Sequence, residues 1–232
     1  MRNRSTLRTS AFCFVAVVMV LGVEVFAQMN GEFTAKMAEN SQKLKQYTYI
    51  QKTEVYMNGE LKKTQLAQVR YDATTGQKIV VPMGATQASQ PQAGSGRLGG
   101  RFMQKKMAEK QGEMKEYMQR LTGLMSDYLP PNADRIKAAM PNAQMARSPE
   151  GRGIQISLKN YLKPGDTMAL SISPLSKQLS QIQINSTLDT DPVAFVVNFS
   201  QLPDGTNYPA LTTIKSPAKN LEIRVSTSDY RK

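Results

Sequence analysis

From Ile154 to Tyr230 the chain alternates apolar and polar residues in short runs, and turn formers interrupt it every eight to twelve residues or so. Ile154, Ile156, Leu158 and Leu162 alternate with Gln155, Ser157, Lys159 and Tyr161. Met168, Leu170 and Ile172 form the next apolar row, after the Pro164-Gly165-Asp166 turn. Ile182, Ile184 and Leu188 face one way, and Gln181, Gln183, Asn185 and Thr187 the other. Runs from Val193 to Gln201, Tyr208 to Lys215 and Leu221 to Tyr230 complete about six strands, separated by Asp189–Pro192, Pro203-Asp204-Gly205 and Pro217–Asn220. Successive strand side chains point to opposite faces, so this pattern predicts an antiparallel meander with one apolar and one wet face. An apolar face must be buried, and the large apolar partners in this chain are its helices.

The first half of the chain supplies them. Phe33 to Gln46 reads as an amphipathic helix, with Phe33, Met37 and Leu44 on one side. Tyr47 to Met57 and Leu61 to Asp72 read as strands. The Asn58-Gly59 pair between them is a strong hairpin signal, because both central residues of a type I′ turn need a positive φ. A third strand, Gln77 to Met83, follows the turn at Ala73–Gly76. Residues 84–101 carry five glycines among Gln, Ala and Ser, and read as a flexible linker. Phe102 to Tyr128 is a long helix stopped by Pro130-Pro131, and Asn132 to Met140 a short one. The Met-rich helical segment therefore spans 102–140. The order is one helix, three strands, helices and about six strands. It predicts an α+β fold in which a curved antiparallel sheet, a half-open barrel, encloses or is covered by its helices.

The long helix carries an unusual row. Met103, Met107, Met114, Met118, Leu121 and Met125 fall within roughly 60° of arc at about 100° per residue. An amphipathic helix needs such a row simply to fill a core. Methionine is also unbranched and polarizable, and suits a surface that accepts varied apolar partners. Gly112 and Gly123 each weaken the helix by about 1 kcal/mol relative to alanine. A Met-lined lid over an apolar cavity is thus the functional reading, and plain core is its rival. Thioethers also suit Cu(I), but burial accounts for the row without metal, so no metal and no cofactor is expected.

Residues 1–27 read as a cleaved secretory signal: Arg2, Arg4 and Arg8, an apolar run from Ala11 to Val23, then Val25-Phe26-Ala27 ahead of Gln28. The run is shorter than the ~20 apolar residues that cross a bilayer. Residues 28–232 then form a single domain. The formal charge of +12 falls to about +10 when the three arginines and Glu24 leave. In an exported protein that field favours an anionic membrane surface rather than nucleic acid. The one cysteine, Cys13, lies within the signal, behind a bulky Phe12 that argues against lipidation. Histidine is absent from the whole chain. Without His or Cys the usual zinc sites and the Ser-His and Cys-His nucleophile pairs cannot be built, and no catalytic residue is expected. Ser216-Pro217-Ala218-Lys219 has a Ser-x-x-Lys spacing, but Pro217 puts it in a turn rather than at a helix start.

Several stretches carry a resemblance: Asp191-Pro192-Val193-Ala194-Phe195-Val196-Val197-Asn198-Phe199, Pro203-Asp204-Gly205-Thr206-Asn207-Tyr208-Pro209, Leu221-Glu222-Ile223-Arg224-Val225 with Asp229-Tyr230, the early Tyr47-Thr48-Tyr49, and Tyr71-Asp72 ahead of Gly76-Gln77. In these and in element order, from about Glu32 to Lys232, the chain resembles the periplasmic lipoprotein carriers and receptors of the LolA/LolB type and their outer-membrane lipoprotein-sorting relatives. The resemblance implies a half-open barrel closed by helices around an apolar cavity for acyl chains. The expected protein is a monomeric, non-catalytic binder of lipid or lipoprotein acyl chains, exported to the bacterial periplasm and serving envelope lipid or lipoprotein transport. The expected lining is Met107, Met114, Met118, Leu121 and Met125 on the helix, with Ile182, Ile184, Phe195 and Phe199 on the sheet. The alternative is an envelope interaction protein with a solid core, which holds a partner protein or polyanion on its basic surface.

Overall fold

The structure is a computed structural model that describes residues 31, 33, 35–84, 100–148, 153–173 and 175–232; of residues 100–108 and 111 it describes the backbone alone. The expected signal at 1–27 and residues 85–99 of the expected linker lie outside the described residues. Helix α1 runs over residues 35–44, with 31 and 33 also helical. Then come β1 (Thr48–Met57), β2 (Glu60–Tyr71), β3 (Lys78–Pro82), α2 (Gly100–Tyr128), α3 (Ala133–Ala139), β4 (Gln144–Arg147), β5 (Ile154–Lys159), β6 (Thr167–Ile172), β7 (Leu179–Leu188), β8 (Asp191–Gln201), β9 (Asn207–Ser216) and β10 (Leu221–Arg231). The class is α+β. Helix α2 starts at Gly100, two residues inside the stretch expected as linker.

All ten strands join one antiparallel sheet in the order β3-β2-β1-β10-β9-β8-β7-β6-β5-β4. Two meanders, β1 to β3 and β4 to β10, are fused by pairing the first strand with the last. The turns obey their residues. Asn58 and Gly59 have φ of 53° and 79°, as a type I′ hairpin requires. Asp72 closes the next turn by accepting from the amides of Thr74 and Thr75 at 2.9 and 2.7 Å. Strand β4 was not expected. It is four residues long, exposed throughout, and sits at the sheet edge, so it carries no alternation to read.

Register aligns the apolar residues into a continuous row. Val55 lies opposite Ile223, Ile223 opposite Ile214, and Ile214 opposite Phe195. Phe195 lies opposite Ile184, Ile184 opposite Met168, and Met168 opposite Leu158. Every member is buried. A second row, Val197, Ile182, Leu170 and Ile156, runs beside it. The chain leaves this sheet at one edge, β3, and re-enters at the other, β4, so α2 and α3 traverse it between the two. At about 1.5 Å per residue the 29 residues of α2 reach roughly 43 Å. Nine strand gaps at about 4.8 Å span a similar width. The contacts of the helical segment advance strand by strand: Tyr117 meets β9, Arg120 the β7–β8 turn, Tyr128 β7 and the β5–β6 turn, and Asn132 again that turn.

Helix α1 is pinned to the sheet end. The Asn40 amide donates to the Asn207 carbonyl at 2.7 Å and accepts from the Asn207 amide at 2.6 Å, like one rung of a ladder. Nearby, Tyr49 stacks on Tyr230 at 4.8 Å between centroids, and Tyr208 leans on Tyr230 at 4.5 Å. Asp204 accepts from the Tyr47 hydroxyl at 2.5 Å and the Lys232 ammonium at 2.8 Å. These donors hold its carboxyl well below the usual carboxylate range.

Two outcomes follow from this packing. Phe195→Ala, at the middle of the buried row, should lower unfolding stability by about 3–5 kcal/mol, while Leu61→Ala at an exposed site should change it by less than about 0.5 kcal/mol, both read by urea denaturation. Burial pushes the Tyr230 hydroxyl up to about 12. An unfolded tyrosine ionises near 10. The folded state therefore keeps its proton longer, and the stabilisation is complete below about pH 10 and lost as pH rises toward 12. Tyr230→Phe should flatten that alkaline loss of stability; an unchanged slope contradicts the assignment.

Candidate functional site

The candidate site is the contact between α2 and the apolar sheet face. Leu121 and the hydroxyl-bearing Tyr117 and Tyr128 are the buried residues among the described side chains of α2. At about 100° per residue these three cluster on one line, and Met114, Met118 and Met125 cluster about 60° further round. The methionines therefore flank the seam rather than form it. All three are half-buried, and Met118 and Met125 pack against the core. The side chains of Met103 and Met107 lie outside the described residues.

The expected sheet residues fall in two groups. Ile182, Ile184, Phe195 and Leu121 have no exposed surface and belong to the same core. Phe199 is half-buried at its margin. The structure thus places Leu121, Ile182, Ile184 and Phe195 in one core cluster, with Met118, Met125 and Phe199 packed against that cluster. Met114 lies one turn before Met118, where the described side chains of α2 from Glu109 to Glu116 are otherwise exposed.

Two serines interrupt the apolar face, and each meets a tyrosine of α2. The Tyr117 hydroxyl lies 2.6 Å from Ser216 Oγ, and the Tyr128 hydroxyl lies 2.9 Å from Ser186 Oγ. Tyr128 also donates to Asp166 Oδ2 at 2.6 Å. That same oxygen accepts from the amides of Leu162 and Lys163 at 2.9 and 3.1 Å. Burial first, and the Asp166 hydrogen bond second, push the Tyr128 hydroxyl well above the ordinary tyrosine value. Outside the core, the Arg120 guanidinium pairs with Asp189. Helix α2 is thus fastened by two buried hydroxyl contacts about three turns apart and one surface ion pair.

Sequence reasoning missed Tyr117, Tyr128, Ser186, Ser216 and Asp166. A signal was present. Ser186 is in phase with Ile182, Ile184 and Leu188, and Ser216 with Ile214, so both stood on the apolar face. A polar group there must find a partner or lose stability. No group of three or more His, Cys, Asp or Glu able to hold a metal ion occurs among the described residues.

Tyr128→Phe removes a donor from a buried carboxylate and should cost about 1–3 kcal/mol of stability. Tyr117→Phe should cost less, about 1 kcal/mol, because it leaves a neutral hydroxyl. Equal losses in the two variants, measured by denaturant unfolding, contradict Asp166 as the dominant partner.

No protein-family model matches this chain, and no curated protein matches it. Solved structures do. A DUF1329 family protein from Desulfovibrio piger is 8% identical with a TM-score of 0.41, covering 88% of this chain and 92% of its own. An outer membrane lipoprotein-sorting protein domain from Vibrio parahaemolyticus is 9% identical with a TM-score of 0.40, over 84% and 90%. A LolA superfamily protein from Nitrosomonas europaea is 8% identical with a TM-score of 0.37, over 85% and 92%. The structural neighbours of this chain thus include LolA-superfamily, lipoprotein-sorting and DUF1329 domains, at low identity and over most of the length.

Proposed function

We propose that this chain is a non-catalytic binder of lipid or lipoprotein acyl chains, exported to the bacterial periplasm, with α2 as the lid of its binding face. The observation that carries the reading is the half-buried methionine flank of Met114, Met118 and Met125 beside an unbroken apolar sheet row. Thioether side chains at such an edge can repack around a hydrocarbon tail. Leu121, Ile182, Ile184 and Phe195 touch no open space in the closed arrangement. An acyl chain would therefore replace side chains of α2 on the sheet, and not enter a standing void there.

The fastenings of α2 suit such a movement. Tyr128 anchors the end next to Pro130-Pro131, and the described side chains from Glu109 to Glu116 are exposed apart from Met114 and the undescribed 111. Lifting α2 breaks the Tyr117–Ser216 contact and the Arg120–Asp189 pair while the Tyr128 end stays fixed. Acyl burial offsets this at ~0.8 kcal/mol per CH2. The positive charge of the chain favours approach to anionic membrane.

A second reading has its own observation. The four fully buried residues above are what a solid core looks like, which suits an envelope protein that holds a partner protein or polyanion on its basic surface. Mass spectrometry of the gently purified protein separates the two. Co-purifying lipid in the wild type, lost in a folded Met114→Asp plus Met118→Asp variant, is the result expected of the carrier. Lipid retained by that folded variant, or no lipid together with salt-sensitive capture of a partner, leaves the second reading.

A further inference from the structure

Beside the Tyr117 fastening, a shallow hollow of about 330 Å3 opens at the end of the sheet, between the β1–β2 and β9–β10 turns. Its wall holds Tyr56, Lys215, Pro217, Leu221, Glu222 and Arg224. We infer that this hollow receives the phosphate group of an amphiphile whose acyl chain lies under α2, an inference that rests on the proposed function.

Register assembles the wall. Tyr56 of β1 lies opposite Glu222 of β10, and Glu222 lies opposite Lys215 of β9, so three strands bring these side chains into one row on the wet face. Arg224 follows two residues on from Glu222 on that same face. Its guanidinium lies over the Tyr56 ring at 4.7 Å, and its Nε donates to Glu222 Oε1 at 2.6 Å. Those two contacts hold the planar group in place while using one of its five donors. The terminal amino groups have no hydrogen-bond partner among the described residues. A preoriented guanidinium fork of this kind matches phosphate oxygens two at a time. Lys215 Nζ stands 3.9 Å from the other Glu222 oxygen, too far for a hydrogen bond, and keeps its donors available. Glu222 is the one carboxylate of the wall and is set against two cations.

The position links the hollow to the apolar face. Leu221 lines the hollow and is also buried in the core beneath α2. Pro217 follows Ser216, the residue that holds Tyr117. Lys219, in the same turn, lies 5.4 Å over the Tyr117 ring and 3.7 Å from Asp191. Ser216 and Lys215 lie on opposite faces of β9, so a tail that displaces Tyr117 from Ser216 reaches the hollow around the end of the sheet, past Pro217 and Leu221.

The test titrates the full-length mature chain by calorimetry with three probes: inorganic phosphate, dihexanoyl-phosphatidylglycerol and neutral dihexanoylglycerol. Arg224→Gln should weaken both phosphate-bearing probes about tenfold and leave dihexanoylglycerol unchanged. Glu222→Gln should tighten them several-fold, because it removes the opposing charge. Lys159→Gln, which takes the same charge from an exposed site on β5, should do neither. Phosphate affinities equal in wild type and Arg224→Gln overturn the site; if dihexanoylglycerol still binds, the carrier reading survives that loss. Phosphate binding that depends on Arg224, with no gain from the acyl chains, keeps the hollow as a free-phosphate site and overturns its coupling to a lipid under α2.

Discussion

Strands β3 and β4 lie at opposite edges of one sheet, so the segment that joins them has to cross from side to side. This requirement organises the rest of the molecule. The sheet has one apolar face to bury, and the helical part of that segment covers it from β9 to the β5–β6 turn, with Phe33 and Met37 of the first helical stretch joining the same core. Burial of the sheet and placement of α2 are therefore one event. The helix is held by position along several strands, not by intimate packing against one neighbour.

Covering a sheet by a crossing helix leaves a problem of register, because apolar contact alone lets a helix slide. The two tyrosine–serine contacts solve it. Each hydroxyl pair is worth only about 1 kcal/mol, but a shifted helix would leave Ser186 and Ser216 on the apolar face without these partners and take the Tyr128 donor from the buried Asp166 carboxylate. Specific seating thus comes from the penalty on wrong alignments more than from the attraction in the right one. The methionine flank carries no such demand, and its neighbours can change without leaving a polar atom unmatched.

Much of this was legible beforehand. Alternation placed Ile156, Leu158, Met168, Leu170, Ile182, Ile184 and Leu188 on the inner face, and Asn58-Gly59 fixed a hairpin, because side-chain period and backbone sterics are local properties. The α+β class and the resemblance in element order followed from the same local signals. Two things were not legible. Gln144–Arg147 became a strand through its neighbour β5, with no burial of its own to mark it. The seam of α2 was read from residue type, which drew attention to methionines, while the burial that decides it falls on Tyr117, Leu121 and Tyr128. Tyrosine looks amphipathic in isolation, and its partners, two serines on strands and an aspartate in a turn, lie up to 99 residues away.

The pairing of β1 with β10 also sets an order of assembly. Thr48 finds its place opposite Arg231, across almost the whole of the intervening sheet sequence. The β1–β3 hairpins therefore wait with one flank open until β10 has been made, and closure belongs to the slow class of long-range pairings. During that interval the inner flank of β1 is an unpaired edge, an attractive template for stray strands. A chaperone that shields this flank until β10 arrives would act where an unfinished sheet has the most to lose.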